Sequence, residues 1–276
     1  MIQNRAMLVD LTIRQWTATK HDRRVSAEVE HTHAAHDAGR YNKRLIDKAY
    51  FTEISRIANE LRKYHYARTH AWTDKGQRLL PSDLFMDYRQ DVAKHKADFQ
   101  AAVQDFIRIY PTLVQEARKR LNTMFVPTDY PDTSELGSLF GIEMEFMPVP
   151  DAQDFRVDVA EETQNEIRLQ ISESLNARQA SMVKECWSRM REVVGRIADQ
   201  CGKENGVIRE SLITNASDLV AILGALNVTN DPDITAAEAA IREKLVVPVG
   251  TLRASPTTRA EVAASARTLL DCMPGE

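Results

Sequence analysis

The feature that most constrains this chain is an uninterrupted amphipathic stretch from Ala160 to Cys201. It contains no proline, its first glycine is Gly195, and Gly202 follows it at the position of a helix stop. A helix of about 42 residues would be roughly 63 Å long, whereas a compact globule of this chain length has a radius of gyration of roughly 19 Å. The helix must therefore project from a globule or form its spine. The apolar residues along it recur at spacings of three, four or seven, as one helical stripe does: Ile167, Ile171, Leu175, Met182, Cys186, Met190, Val194, Ile197 and Cys201.

A second helix of similar length is predicted from Ser82 to Phe125. Ser82 follows Pro81 and is a good N-cap residue. Pro111 lies inside the pattern, so we expect a kink or a short break there. The residues of this stripe are Phe85, Tyr88, Val92, His95, Phe99, Val103, Phe106 and Tyr110 before the proline, and Leu113, Ala117, Leu121 and Met124 after it.

Short segments with alternating apolar and polar residues indicate a small sheet. Residues 7–18, 142–146 and 155–159 each alternate in this way. The turn-forming residues 148–153 can join the last two segments as an antiparallel pair, and the N-terminal strand is their natural third partner, because an isolated hairpin is only marginally stable. Residues 72–80 are typical of a turn or short hairpin.

Shorter helical patterns fill most of the remaining chain. The spacing of the apolar residues predicts helices at residues 47–68 and 207–226, and residues 20–37 are predicted to be helix or loop. A capping box of Thr235 and Glu238 is expected to begin one further helix, and Ser255 with Pro256 begins the last.

These elements predict an α+β protein of mostly long α-helices, with a coiled-coil-like helical arm and a small antiparallel β-sheet. Residues 1–159 would form an N-terminal α+β region that holds the sheet and the first long helix. Residues 160–276 would form a helical region with the second long helix and the C-terminal helices. The two regions could also be one integrated domain.

The composition is that of a soluble protein with a hydrophobic core. Of 276 residues, 43% are hydrophobic and 28% are charged, and the net charge of −4 excludes a chain that binds DNA over its whole surface. Cys186, Cys201 and Cys272 form no CxxC pair, which favours buried thiols in a reducing cytoplasm. We find no signal-peptide pattern and no long apolar segment, so we expect a cytoplasmic protein without a membrane span.

Four stretches of the chain resemble a family of uncharacterised proteins encoded by tailed bacteriophages and prophages. Members of that family carry a domain of unknown function and often lie near genes for MoxR-like AAA ATPases. The resemblance implies a phage origin, action in the cytoplasm of the infected host cell and an AAA ATPase as a partner. It implies no catalytic residues. The stretches are MLVDLTIRQWTATKHD, AHDAGRYNKRLI, RLLPSDLFMDY and YPDTSELGSLFGIEMEFMPVPDAQDF, and the resemblance extends to ALNVTNDPDI and the C-terminal helices.

Basic and aromatic residues interleave in the N-terminal third. Residues 1–74 hold thirteen Lys and Arg against nine Asp and Glu. Cations beside rings suit single-stranded nucleic acid, although the same pattern is found on solvated helix faces. The candidate nucleic-acid-binding residues are Arg40, Tyr41, Lys43, Arg44, Arg62, Lys63 and Tyr66.

Two acidic or histidine-rich clusters offer ligands for a metal, and a solvated surface is the alternative for each. His33 and His36 could share one helix face, with Glu30, His31 and Asp37 nearby. Glu143 and Glu145 lie on one strand face, with Asp151, Asp154 and Asp158 following, so Mg²⁺ or acid–base chemistry is conceivable there. We expect no metal and no cofactor.

The acidic segment from residue 127 to 166 carries eleven acidic residues and one basic residue. Such a segment repels nucleic acid and attracts a basic partner surface.

No phosphate-binding glycine loop, GxSxG motif or dinucleotide fingerprint is present in the sequence. We therefore expect a non-enzymatic scaffold or adaptor that acts through protein–protein contacts. A single-stranded nucleic-acid-binding or annealing protein is the alternative, and a metal-dependent enzyme is a weaker one.

The long stripes are too wide for two paired helices to cover, which favours a homo-oligomer. The expected interface residues are Ile171, Leu175, Met182 and Trp187.

Overall fold

The computed structural model describes residues 2–37, 39–74, 76–151, 161–204 and 206–275. The helices are α1 (Arg23–His33), α2 (Thr52–Arg68), α3 (Phe85–Leu121), α4 (Glu161–Gly202), α5 (Glu210–Leu226), α6 (Pro232–Lys244), α7 (Val249–Ala254) and α8 (Pro256–Cys272). The strands are β1 (Ala6–Arg14), β2 (Thr19–His21), β3 (Asn42–Arg44), β4 (His70–Ala71), β5 (Arg78–Pro81) and β6 (Gly141–Pro148). The predicted α+β class, with long helices and a small sheet, is confirmed.

The strands form a four-stranded sheet in the order β4-β5-β1-β6 and a separate pair, β2-β3. β5 runs antiparallel to both β4 and β1, which confirms the predicted hairpin at residues 72–80. β1 is the neighbour of β6, as the alternating patterns predicted. Because β1 is an inner strand, Leu8 and Val9 are both buried although they point to opposite faces. The predicted strand at residues 155–159 lies outside the described residues.

The chain divides into two compact units. Unit 1 comprises residues 1–10, 66–88 and 145–276, and unit 2 comprises residues 11–65 and 89–144. This division differs from the sequence-based boundary at residue 160, because unit 1 combines the C-terminal helices with segments of the sheet.

Unit 1 has its main core where α4 packs with the C-terminal helices. From Met182 onward the stripe of α4 is buried, with Met190, Val194 and Ile197 showing no exposed surface. Residues of α5, α6, α7 and α8 complete this core. α4 ends at Gly202 as predicted. A Cβ at Gly206 would lie 2.1 Å from the carbonyl oxygen of Gln200, so the chain after the helix requires glycine there.

Unit 2 contains a cluster of aromatic side chains. Trp16 contacts Phe51, Phe106 and Tyr110 edge-on, with ring centroids 6.1, 6.4 and 5.9 Å away. Phe140 packs on Phe106 at 5.9 Å. Edge-to-face pairs of this kind add stabilisation beyond the area that they bury. The cluster joins the segment after β1, the part of α3 that belongs to unit 2 and the segment before β6.

Two predicted helix signals are corrected by the structure. α3 is continuous through Pro111, so the short break is absent while the kink stays a prediction, and buried residues on both sides of the proline, Phe106 and Leu113 among them, anchor the helix. The capping box at Thr235 and Glu238 is wrong. α6 begins at Pro232, and the Asp231 carboxylate accepts hydrogen bonds from the first-turn backbone. No helix in the described part of the chain has the length and hydropathy needed to cross a membrane.

The core of unit 1 supplies a stability test. Leu223 on α5 is fully buried, so Leu223→Ala removes its packing and leaves a cavity. We expect a loss of about 2–5 kcal/mol in the free energy of unfolding, measured by urea denaturation. Leu169→Ala on α4 is the control, because its side chain is 63% exposed and its loss is expected to stay within about 0.5 kcal/mol. Equal losses from the two variants would contradict the assigned core.

Candidate functional site

The stripe of α4 has two halves with different surroundings. In residues 161–181 no side chain is buried, whereas the core of unit 1 begins at Met182. Ile167 and Ile171 are half-buried, and Leu169 on the opposite face is exposed. The first half of α4 therefore presents apolar side chains that the described residues of the chain do not fully cover.

The four expected interface residues divide between these two halves. Ile171 is half-buried, and Leu175 packs partly against a small core that includes Trp72. Met182 is only 2% exposed and belongs to that same small core. Trp187 packs against the main core of unit 1. Met182 is thus not available to another molecule, whereas Ile171, Leu175 and Trp187 are half-buried.

The centre of α4 carries a partly buried ion network around Glu185. One carboxylate oxygen, Oε2, lies 3.0 Å from Nδ1 of His70. The other, Oε1, accepts a hydrogen bond of 2.7 Å from Arg189, and the Arg78 guanidinium lies 3.5 Å from it. The network connects α4 to β4 and β5.

His70 is fully buried, and both of its ring nitrogens face acceptors. Nε2 lies 2.8 Å from the carbonyl oxygen of Leu226, and Nδ1 faces the Glu185 carboxylate. Each ring nitrogen therefore has a partner within unit 1. A ring enclosed in this way joins α5 to the network and does not reach a solvent-borne substrate.

Arg189 extends the network to the end of α2. Its guanidinium donates to the carbonyl oxygens of Tyr66, Ala67 and Thr69 at 2.9, 2.6 and 2.7 Å. Carbonyls at a helix C-terminus lack partners within the helix, and a cation is favoured there. Arg189 therefore caps α2.

The surroundings of Glu185 and Cys186 fix their protonation states. Burial opposes ionisation of Glu185, but the His70 hydrogen bond and the charge of Arg189 outweigh it and lower the pKa of the carboxyl to about 2. Burial raises the pKa of the Cys186 thiol to about 12, so it is not a reactive nucleophile. Cys201 is also buried, and Cys272 is exposed. The network is therefore suited to holding the fold together.

The candidate nucleic-acid-binding residues do not form one equivalent set. Lys43 is buried, with Nζ 2.7 Å from Asp129 and 3.5 Å from Asp22. It also donates to the Met124 carbonyl oxygen at 3.0 Å. Its ammonium is therefore engaged within unit 2, where one positive charge faces two carboxylates. Arg40, Arg44 and Lys63 are exposed, and Tyr41 is 44% exposed. The Arg62 guanidinium donates a hydrogen bond to Asn59. Tyr66 belongs to unit 1, where the Arg78 guanidinium lies over its ring.

A cleft in unit 2 gathers basic residues that we did not single out from the sequence. Its volume is about 510 Å³. Lys20, Arg23 and Arg24 are exposed at this cleft, and Lys43 with its two carboxylate partners also lines it. Lys20 pairs directly opposite Lys43 in the β2-β3 ladder. The cleft is positively charged at its exposed positions.

The two candidate ligand clusters are dispersed by the fold. α1 ends at His33, and Ala34 adopts a left-handed conformation, so His33 and His36 do not share a helix face as we considered. Glu143 forms an ion pair with Arg14 at 2.6 Å. Asp154 and Asp158 lie outside the described residues. Among the residues that the structure describes, no group of three His, Cys, Asp or Glu could hold a metal ion.

The acidic segment is divided between the two units after residue 144. In unit 2, Asp129 is engaged with Lys43, so its charge is not available to a basic partner. Whether the remainder forms an interaction surface stays a prediction.

Comparisons with models of known protein families, with curated proteins and with solved structures found no match.

The Glu185 network predicts an acid-sensitive fold. The pKa of Glu185 in the folded chain lies below its ordinary value of 4.5, so the carboxylate stabilises the fold above about pH 4.5. That stabilisation is lost as the pH falls through 4.5 towards 2, and it amounts to on the order of 3 kcal/mol. Glu185→Gln should unfold at a lower urea concentration at neutral pH and lose less further stability in this window.

Glu192→Gln provides the control for this experiment. Glu192 pairs with Arg196 on the exposed face of the same helix and should contribute little. Parallel pH profiles for the wild type and Glu185→Gln would contradict the assigned role of the network.

Lys43 supplies a second stability test. Lys43→Met leaves the Asp22 and Asp129 carboxylates without their cation, so we expect a loss of about 3–5 kcal/mol in urea denaturation. Adding Asp22→Asn and Asp129→Asn should restore much of that loss, because the orphaned charges are removed. Lys63→Met, at an exposed position, is the control. An unchanged stability for Lys43→Met would show that Lys43 is not a structural cation.

Proposed function

We propose that this chain is a non-enzymatic scaffold or adaptor that self-associates through the first half of α4. The observation that carries the proposal is the contrast along this helix. Its second half is buried in the core of unit 1, while residues 161–181 have no buried side chain and still carry Ile167 and Ile171. A helix surface with apolar residues at this spacing is the kind that packs against another helix.

The energetics of long helices support a partner for this segment. Most helical stability in proteins comes from packing of the apolar face and not from propensity. Residues 161–181 span roughly 30 Å of helix at 1.5 Å per residue. A second copy of α4 would supply the missing packing along this length, and an isologous pairing would form a closed dimer.

The bonds that the ionisable groups around Glu185 make support a non-enzymatic function. His70, Glu185 and Arg189 make their bonds to each other and to backbone carbonyls. Groups held in this way stabilise packing and are not free to transfer protons to a substrate.

The phage setting is part of the proposal and derives from the resemblance alone. The protein would act in the cytoplasm of the infected host cell, with a phage or host protein, an AAA ATPase among the candidates, as its partner. A pull-down from infected cells, with and without nuclease, would separate a protein partner from a nucleic-acid one.

The oligomeric state tests the α4 surface. Ile171→Asp places a charge in the proposed seam, so the molar mass from light scattering should fall to that of a single chain while the helical circular dichroism persists. Leu169→Asp is the matched control, because it adds the same charge on the opposite, exposed face of α4. It should leave the mass unchanged.

Two results would overturn this proposal. The first is light scattering that finds the wild-type protein as a single chain across micromolar concentrations, because self-association is then absent. Dissociation by Leu169→Asp and not by Ile171→Asp would place the contact on the other face of the helix.

A further inference from the structure

We propose that the basic cleft of unit 2 binds the phosphodiester backbone of single-stranded nucleic acid through Lys20, Arg23 and Arg24, with Tyr41 stacking on a base. This inference goes beyond the self-association of α4, since it concerns another unit and another kind of ligand. It begins with the partners of the basic residues.

The three cations at the cleft are available to a ligand. Lys20, Arg23 and Arg24 are exposed, and within the described ranges none of them forms an ion pair or a side-chain hydrogen bond. Two other exposed arginines of unit 2 are paired on their own helices: Arg56 pairs with Glu53 and Glu60, and Arg108 pairs with Asp105. The cleft thus brings together three cations that no described residue pairs with.

Lys43 weakens the repulsion between the inner part of the cleft and an anion. Its ammonium lies between the Asp22 and Asp129 carboxylates and offsets one of their two negative charges, and the four basic and two acidic residues that line the cleft leave it a net charge of +2. The Asp22 carboxylate also accepts a hydrogen bond from the backbone N–H of Val25, and so caps α1. Lys43 is therefore a positioning residue, and the exposed cations are the phosphate contacts.

The exposure of these cations favours a polymer over a small anion. A dedicated site for one anion would offer a buried cation without a partner, and the buried cation at this cleft, Lys43, is already paired. Single exposed ion pairs contribute little. Several phosphates on one strand gain affinity together, because each neutralised phosphate releases counterions.

Tyr41 favours a single strand over a duplex. Its ring is 44% exposed. Its backbone is fixed beside the start of α1, since its carbonyl accepts from the Asp22 N–H at 2.9 Å and its N–H donates to Ser26 Oγ at 3.0 Å. An exposed ring on a backbone fixed beside Asp22, the residue that precedes Arg23, can stack on an unpaired base, which a duplex does not offer.

The test measures binding of the full chain to fluorescein-labelled oligo(dT) by fluorescence anisotropy over a range of salt concentrations. We expect the combined variant Lys20→Ala, Arg23→Ala and Arg24→Ala to bind at least about tenfold more weakly than the wild type. Its slope of log affinity against log salt should be shallower by about 2. Each lost contact to a phosphate of a single strand reduces the slope by roughly 0.7, and the variant loses three such contacts. Its thermal unfolding should stay unchanged, because the three side chains are exposed.

A second combined variant provides the charge-matched control. Lys94→Ala, Lys96→Ala and Arg108→Ala remove the same charge from exposed positions on α3 that do not line the cleft. This variant should bind within about twofold of the wild type. Tyr41→Ala should weaken binding, and Tyr41→Phe, which keeps the ring, should restore it.

Three results would overturn the proposal. They are no binding of oligo(dT) by the wild type at low salt, an equal loss of affinity in the two charge-matched variants, and equal affinity for oligo(dT) and a duplex of the same length. Light scattering on the same variants keeps this test separate from the α4 proposal, since the cleft variants should retain the wild-type molar mass.

Discussion

The side chain of Glu185 is the contact on which the arrangement of unit 1 depends. It faces His70 and Arg78, and with Arg189 it connects α4, β4, β5 and the end of α2. Without this carboxylate, the guanidinium groups of Arg78 and Arg189 would lose their shared counterion. The buried stripe of α4 fixes which face of the helix packs inward, and the Glu185 network fixes its position along the strands, because ionic hydrogen bonds are far less tolerant of displacement than apolar contacts.

Unit 2 contains the inverse arrangement, in which one buried cation serves two carboxylates. Lys43 offsets one of the two charges of Asp22 and Asp129, and this internal pairing makes Lys43 a structural cation that does not contact a ligand. The neighbouring cations, Arg23 and Arg24 among them, remain exposed at the cleft. The capacity of this surface to bind an anion therefore depends on which basic residues lack internal partners and not on how many basic residues the segment contains.

α4 shows that one hydrophobic pattern can meet two different surroundings. The stripe has the same period along the whole helix, yet residues after Met182 are covered by the C-terminal helices and those before it are not. Periodicity specifies the face of a helix that avoids water. It does not specify whether the same chain or another molecule covers that face, and this is why the scaffold function remains a proposal.

The sequence by itself determined the local elements. The long α4, the strands β1 and β6 and the hairpin before α3 follow from periodicity and turn residues, which act within a few positions of the chain. Only the tertiary structure decided the rest. His70 and Glu185 meet across 115 positions, and neither carries a local signal of the other. Likewise, the burial of Lys43 and the continuity of α3 through Pro111 depend on packing between distant segments. A local pattern cannot encode such contacts, because the free energy of a buried charge or a helix-interrupting proline is set by the groups that the fold places around it.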